Sequence, residues 1–176
     1  MAEEGQTIEN PMTGERIVFG ETGRTTGGRL LRFELFLAPG GRVGGGPHKH
    51  PYEERFRIRR GALGCRVGVR RWRLEAGASI RIPPSRTHYL WNATLEEAHA
   101  TVELRPGDQL ERFFTSLFAI ASTRPESFRG LPGPLQGALL ASEFDMFGPL
   151  VPVALQRPVT AALAFLARRR GHALPA

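Results

Sequence analysis

Cysteine is nearly absent from this chain. Its 176 residues include one, Cys65, so no intrachain disulfide can form, and a reducing compartment is expected. Lysine is as scarce: Lys49 stands alone, and every other one of the 24 basic residues is an arginine. The net charge of +7 therefore reads as the arginine bias of a GC-rich bacterial genome. The arginines are scattered apart from Arg70, Arg71 and Arg73 and the run Arg168–Arg170, so a nucleic-acid partner is not expected. Nor does any recognition helix-turn-helix show itself. A run of about 20 apolar residues is missing too. The most apolar stretch, 147–167, is interrupted by Gln156, Arg157 and three prolines, which suits a buried or interfacial helix better than a membrane crossing. The start, Met-Ala-Glu-Glu-Gly, lacks the basic and apolar regions of a secretory leader, so a cytoplasmic location is expected.

Glycine and proline are plentiful, 21 and 14, without a repeat period, as suits short strands joined by turns. The length suits one compact unit. Residues 1–28 read as an N-terminal arm with a strand or two. Leu31, Phe33, Leu35 and Leu37 then alternate with polar residues, the mark of a half-buried strand. Beyond Pro47, His48, His50, Tyr52, Glu54, Phe56 and Ile58 share one parity, and Lys49, Arg55, Arg57 and Arg59 the other. Further strands are expected through Leu63, Cys65, Val67 and Val69, through Trp72 and Leu74, through Ile80 and Ile82, from His88 to Asn92, and from Ala98 to Leu104. After Asp108 apolar residues recur every three or four positions, predicting a helix through Leu110–Ala121. A Pro/Gly-rich connector over 125–134 separates it from a helix over 135–147. A third helix follows over 158–170, with Pro158 in its first turn. About eight strands followed by three helices predict a mainly β (α+β by content) fold. The strand-rich body, a β-barrel or sandwich, occupies 1–107 with its arm. A helical extension over 108–176 packs on it or at a dimer interface.

Two segments carry candidate metal ligands. The first reads His48-Lys49-His50-Pro51-Tyr52-Glu53-Glu54, then six residues, then Gly61. The second reads Gly77, five residues, Pro83-Pro84-Ser85, Arg86-Thr87, His88, three residues, Asn92. In that order, and 15 residues apart, they resemble the two motifs of the cupin superfamily. Two positions depart from the pattern: Ser85 stands where the family usually has glycine, and so does Arg42. The resemblance implies a jelly-roll β-barrel with one divalent metal ion near its centre, held by His48, His50, Glu54 and His88. Three imidazoles and a carboxylate suit Fe, Mn, Ni, Cu or Zn.

The superfamily's activities are diverse. The favoured expectation is an oxygenase of the dioxygenase type, acting on an enol- or catechol-like small molecule, with Glu54 as the catalytic base. The alternatives are a non-redox isomerase, lyase or cyclase and a non-catalytic binding protein. A homodimer is expected, since cupins often dimerise, and a membrane partner is not. Tyr52, Phe56, Cys65, Leu90 and Asn92 share ligand parity and are candidate pocket residues. Glu103, with His99, faces either the pocket or solvent.

Overall fold

The computed structural model describes residues 2–108, 110–123 and 132–175. Nine strands occur among them: β1 (Thr7–Asn10), β2 (Glu15–Phe19), β3 (Leu31–Leu37), β4 (Glu53–Arg60), β5 (Ala62–Val67), β6 (Arg70–Glu75), β7 (Ser79–Ile82), β8 (His88–Trp91) and β9 (Ala98–Arg105). They form two antiparallel sheets, one in the order β1-β2-β3-β9-β4-β7 and one in the order β6-β5-β8. The chain leaves the large sheet after β4, returns for β7, crosses again for β8 and comes back as β9. This is the jelly-roll β-fold followed by helices. Gly61 makes the first crossing at φ +72° with its backbone close to Ala98, a place and conformation that disfavour any side chain.

Alternation decides which faces meet. Leu31, Phe33, Leu35 and Leu37 of β3 are buried, as are Phe56 and Ile58 of β4 and Ala98, Ala100, Val102 and Leu104 of β9. They share one apolar cluster with Leu63, Cys65, Leu74 and Leu90 of the small sheet. The arm is more than an appendage: β1 and β2 extend the large sheet, and a short helix, α1 (Gly23–Thr26), follows them under a Thr22 capping box.

The later helices are α2 (Leu110–Thr123), α3 (Pro134–Phe144) and α4 (Val153–Arg169). On α2, Leu110, Phe114, Leu117 and Phe118 enter the barrel cluster, with the Phe114 ring edge-on to Phe33 at 5.0 Å. Leu140 and Phe144 of α3 join it. Ala138 and Leu139 of α3 pack instead on Ala164 and Ala167 of α4. On α4 the buried face is small, while Leu155, Val159 and Phe165 are each about 60% exposed.

Several expectations need correction. The strand through Val67 stops before Val69, which is exposed in the Gly68–Val69 turn; Gly68 (φ +59°) lets the chain reverse there, and Arg70, Arg71 and Arg73 lie in β6. The second helix ends at Phe144, because Asp145 adopts a left-handed conformation. The third begins at Val153 behind Pro152, so Pro158 lies inside it rather than in its first turn. Of the expected 125–134 connector, residues 125–131 lie outside the described residues.

Candidate metal centre

The two ligand-bearing segments are paired directly. The His48 N–H donates to the His88 carbonyl (3.1 Å) and the His88 N–H to the His48 carbonyl (2.9 Å). The Ser85 N–H donates to the His50 carbonyl at 2.7 Å. Ser85 holds φ +62°, a left-handed conformation that costs an L-residue roughly 1–2 kcal/mol and glycine nothing. Arg42 is in extended backbone, φ −141°, so no glycine is required there. The two departures from the motif thus differ: one is strained and the other is free.

Each of the three imidazoles is oriented in the same way. Nδ1 of His48 lies 2.8 Å from the Gly46 carbonyl, Nδ1 of His50 3.1 Å from that of Tyr52, and Nδ1 of His88 2.8 Å from that of Arg86. A carbonyl only accepts, so each Nδ1 carries the proton and each Nε2 keeps a lone pair. The ligand atoms of His48, His50 and His88 lie within 4.8 Å of one another, as one shared ion requires. Glu54, on β4, places Oε2 3.1 Å from His88 Nε2 and 3.8 Å from His50 Nε2. Yet both Glu54 Oε2 and His88 Nε2 are buried without a well-directed hydrogen bond. Orphaned polar atoms are costly in an interior, and two of them converging on a common point fit a cation between them. The donor set fits a divalent ion on this ground.

The electrostatics agree for His48 and His50. Burial, with the neighbouring His88 and His50, pushes His48 down to about 3, and burial lowers His50 as well. Both are neutral near pH 7, the form that ligates. Burial opposes the charge on His88, but Glu54 beside it outweighs that and raises its pKa. Burial likewise works against the Glu54 carboxylate, and the His88 contact with the surrounding imidazoles overcomes it, leaving the pKa lowered.

The centre opens on a cavity of about 490 Å³. Its floor is the 43–47 loop with His48, His50 and Glu54; its roof is Phe113, Phe114 and Leu117 of α2, Leu140 and Ala141 of α3, and Met146–Pro149. The last stretch is tied to the ligand segment by paired backbone bonds between Phe147 and Lys49, both 3.0 Å. The sequence left open whether these helices cap the barrel's mouth, pack on its outer face or pair with a second subunit. The α2 stripe was legible, but nothing local said that it crosses the mouth of the barrel.

The other candidate residues fall elsewhere. Phe56 and Leu90 are wholly buried between the sheets. Cys65 lies in the same core, and burial pushes its thiol up to about 12, which leaves it unreactive. Asn92 holds a loop, donating to the Leu37 and Glu96 carbonyls and accepting from the Thr94 N–H and hydroxyl. Tyr52 packs beside His50 but turns its hydroxyl to the Phe144 carbonyl at 3.2 Å. Glu103 and His99 resolve to the outer face of β9. Glu103 pairs with Arg32 and Arg105, while His99 stacks on Phe36 and meets Glu34 at 2.5 Å. They face outward because Ala98, Ala100, Val102 and Leu104 fill the inner face. None of these residues lines the cavity.

Glu15 was overlooked. It is buried on β2, accepts the Gly44 N–H at 3.1 Å and the Thr13 hydroxyl at 2.7 Å, and so anchors the loop under His48. Burial, reinforced by Glu54, pushes its pKa from 4.5 to about 7. A carboxyl raised on folding stabilises most below its unfolded pKa and loses that advantage as pH rises through the folded one. Wild type should therefore lose about 3 kcal/mol between pH 4.5 and 7 relative to Glu15→Gln. Urea denaturation of both proteins across that range measures it, and a constant difference would refute it.

A family model described as the cupin domain matches residues 33–104, the span from β3 to β9. No curated protein matches the sequence. Among solved structures, the chain resembles an RmlC-like cupin from Shewanella frigidimarina at 15% identity and TM-score 0.53, covering 63% of this chain and 92% of that one. A predicted oxalate decarboxylase from Thermotoga maritima aligns at 19% identity and TM-score 0.50 (57% and 90% covered). The polyketide cyclase RemF from Streptomyces resistomycificus aligns at 17% and 0.50 (60% and 78% covered). At such identities the likeness is one of fold. Among the described residues no helix is long and apolar enough to cross a membrane. With the motif segments paired, three histidines converging and the family model matching from β3 to β9, that span of the chain is a cupin domain.

Proposed function

We propose that this cupin is a metal-dependent enzyme, a dioxygenase-type oxygenase acting on a small molecule with an enol- or catechol-like pair of oxygens. The observation that carries the reading is the convergence of three Nε2 lone pairs and the Glu54 carboxylate beside an apolar cavity. His48, His50 and His88 would hold one divalent ion, Fe, Mn, Ni, Cu or Zn, with Glu54 beside them. Such an ion supplies Lewis acidity toward a chelating oxygen and, if redox-active, a path for electrons from substrate to dioxygen. Glu54 Oε2 is the group placed to take the proton that the substrate's hydroxyl gives up on binding. The carbonyls of Gly46, Tyr52 and Arg86 keep the three rings in one tautomer throughout. The roof from α2, α3 and Met146–Pro149 keeps water from the reacting atoms.

Oxygen uptake by the metal-loaded protein, screened against enols and catechols, tests this. Consumption of one O₂ per substrate, lost by a hundredfold or more in Glu54→Gln, is the expected result. Turnover of a substrate without oxygen uptake would replace the oxygenase with an isomerase, lyase or cyclase using the same ion as a Lewis acid. Ligands that raise the melting temperature and are never consumed would make the protein a binding module. A homodimer is proposed alongside, and a single monomeric species in sedimentation velocity would overturn it.

A further inference from the structure

The chain carries 24 lysines and arginines, yet among the described residues none lines the cavity. Several cations near its walls are turned to other partners. Lys49 Nζ donates to the Val151 carbonyl at 2.8 Å, Arg112 of α2 pairs with Glu143, and Arg157 of α4 pairs with Asp145. The ionisable side chains of the lining are His48, His50 and Glu54, all at one end. Leu104 lies beside Glu54 across the β4–β9 pairing, and Phe113, Phe114, Leu117, Leu140 and Met146 complete the apolar lining.

A ligand reaching the histidines must lay the rest of its body against these apolar side chains. A carboxylate or phosphate on that body would lose its hydration and, among the described residues, find no cation in return. An uncharged ring gains in proportion to the apolar area it buries there. Room for it comes from α3, where Gly137 and Ala141, one turn apart, both face the cavity with little side chain. The volume of about 490 Å³ far exceeds a compact dianion and lies within the ordinary range of small-molecule sites.

We propose that the site takes ligands built of a chelating oxygen head and an uncharged, apolar body of one or two rings. The body is selected by α2, α3 and Met146–Pro149 rather than by the barrel. The head rests on the metal reading above; the body rests on the lining alone. Dicarboxylates with a distal charge and phosphorylated sugars are excluded as substrates.

Two 2-oxo acids share one head and separate the bodies: 2-oxo-4-phenylbutanoate ends in a ring and 2-oxoglutarate in a carboxylate. The protein is incubated with Mn(II), Ni(II) or Zn(II), its metal content is measured, and each acid is titrated calorimetrically. The phenyl compound should bind at least about tenfold tighter. Ala141→Phe, checked for an intact melting transition, should erase most of that preference while metal content stays unchanged. Equal affinities, a preference for 2-oxoglutarate, or no binding of either acid to metal-loaded protein would overturn the proposal. Should no metal load, the metal reading fails by itself and the body is tested on metal-free protein. There, the neutral probe N-phenyl-1-naphthylamine should show saturable fluorescence enhancement that Ala141→Phe removes, and its absence would overturn the proposal.

Discussion

Wild-type protein, purified without oxygen and offered Fe(II), Mn(II), Ni(II), Cu(II) and Zn(II) in turn, should retain close to one ion per chain, and the His48→Ala/His88→Ala double variant almost none. The loss should exceed a hundredfold in affinity, since even groups that merely orient ligands are worth about 10–100-fold. These two histidines are the informative pair because they face each other across the bridge that joins the two motif segments. Removing them takes away two of three lone pairs and also strips Glu54 of its 3.1 Å neighbour. Elemental analysis after gel filtration reads the content, and circular dichroism confirms that the variant is folded. A wild type that stays metal-free with every ion would end the metal reading and leave an apolar ligand-binding barrel.

The largest effect on stability should come from a single added methyl. Gly107 lies where β9 passes the chain to α2, and its N–H donates to the Gly28 carbonyl at 2.9 Å. A Cβ there would sit 2.2 Å from both the Leu30 carbonyl carbon and the Leu31 nitrogen. Those atoms are backbone at the start of β3, so no side-chain rotation relieves the overlap. Gly107→Ala should therefore lose more than about 4 kcal/mol or fail to fold, at the top of the range for point substitutions. Gly133→Ala is the control. Its Cβ would meet nothing within 4 Å among the described residues, and only the weaker cap preference of alanine, at most about 1 kcal/mol, should register. Thermal and urea denaturation of the two variants checks both values, and comparable losses would show that the Gly107 contact yields.

What could be read in advance follows from where the information sits. The inward set Leu31, Phe33, Leu35 and Leu37 is legible because a strand has period two and one of its faces must leave water. The α2 stripe is legible for the same reason at a period of 3.6. The ligand set could be named because the motif spacing survives in the chain, even with Ser85 held at φ +62° in place of glycine. Parity alone was a poorer guide to the cavity. Phe56, Cys65 and Leu90 have the same parity as the ligands, but they are stacked between the sheets, away from the mouth.

His99 and Glu103 stayed ambiguous for a related reason: small apolar residues on one side of β9 and polar ones on the other suit either orientation until a facing sheet is present. Pro158 was misplaced because Pro152 also suits a helix start, and only packing of α4 on α3 decided between them.

The sequence by itself determined the local periods, the turns and the order of ligand residues along the chain, since these depend on backbone sterics and on neighbours a few positions apart. Only the tertiary structure decided that His48 and His88 pair, that Glu15 supports the loop beneath them, and that α2, α3 and Met146–Pro149 close an uncharged roof over the site. Those relations join segments tens of residues apart. No local preference encodes them; they arise when the apolar faces of two sheets and two helices find the one arrangement that buries them together.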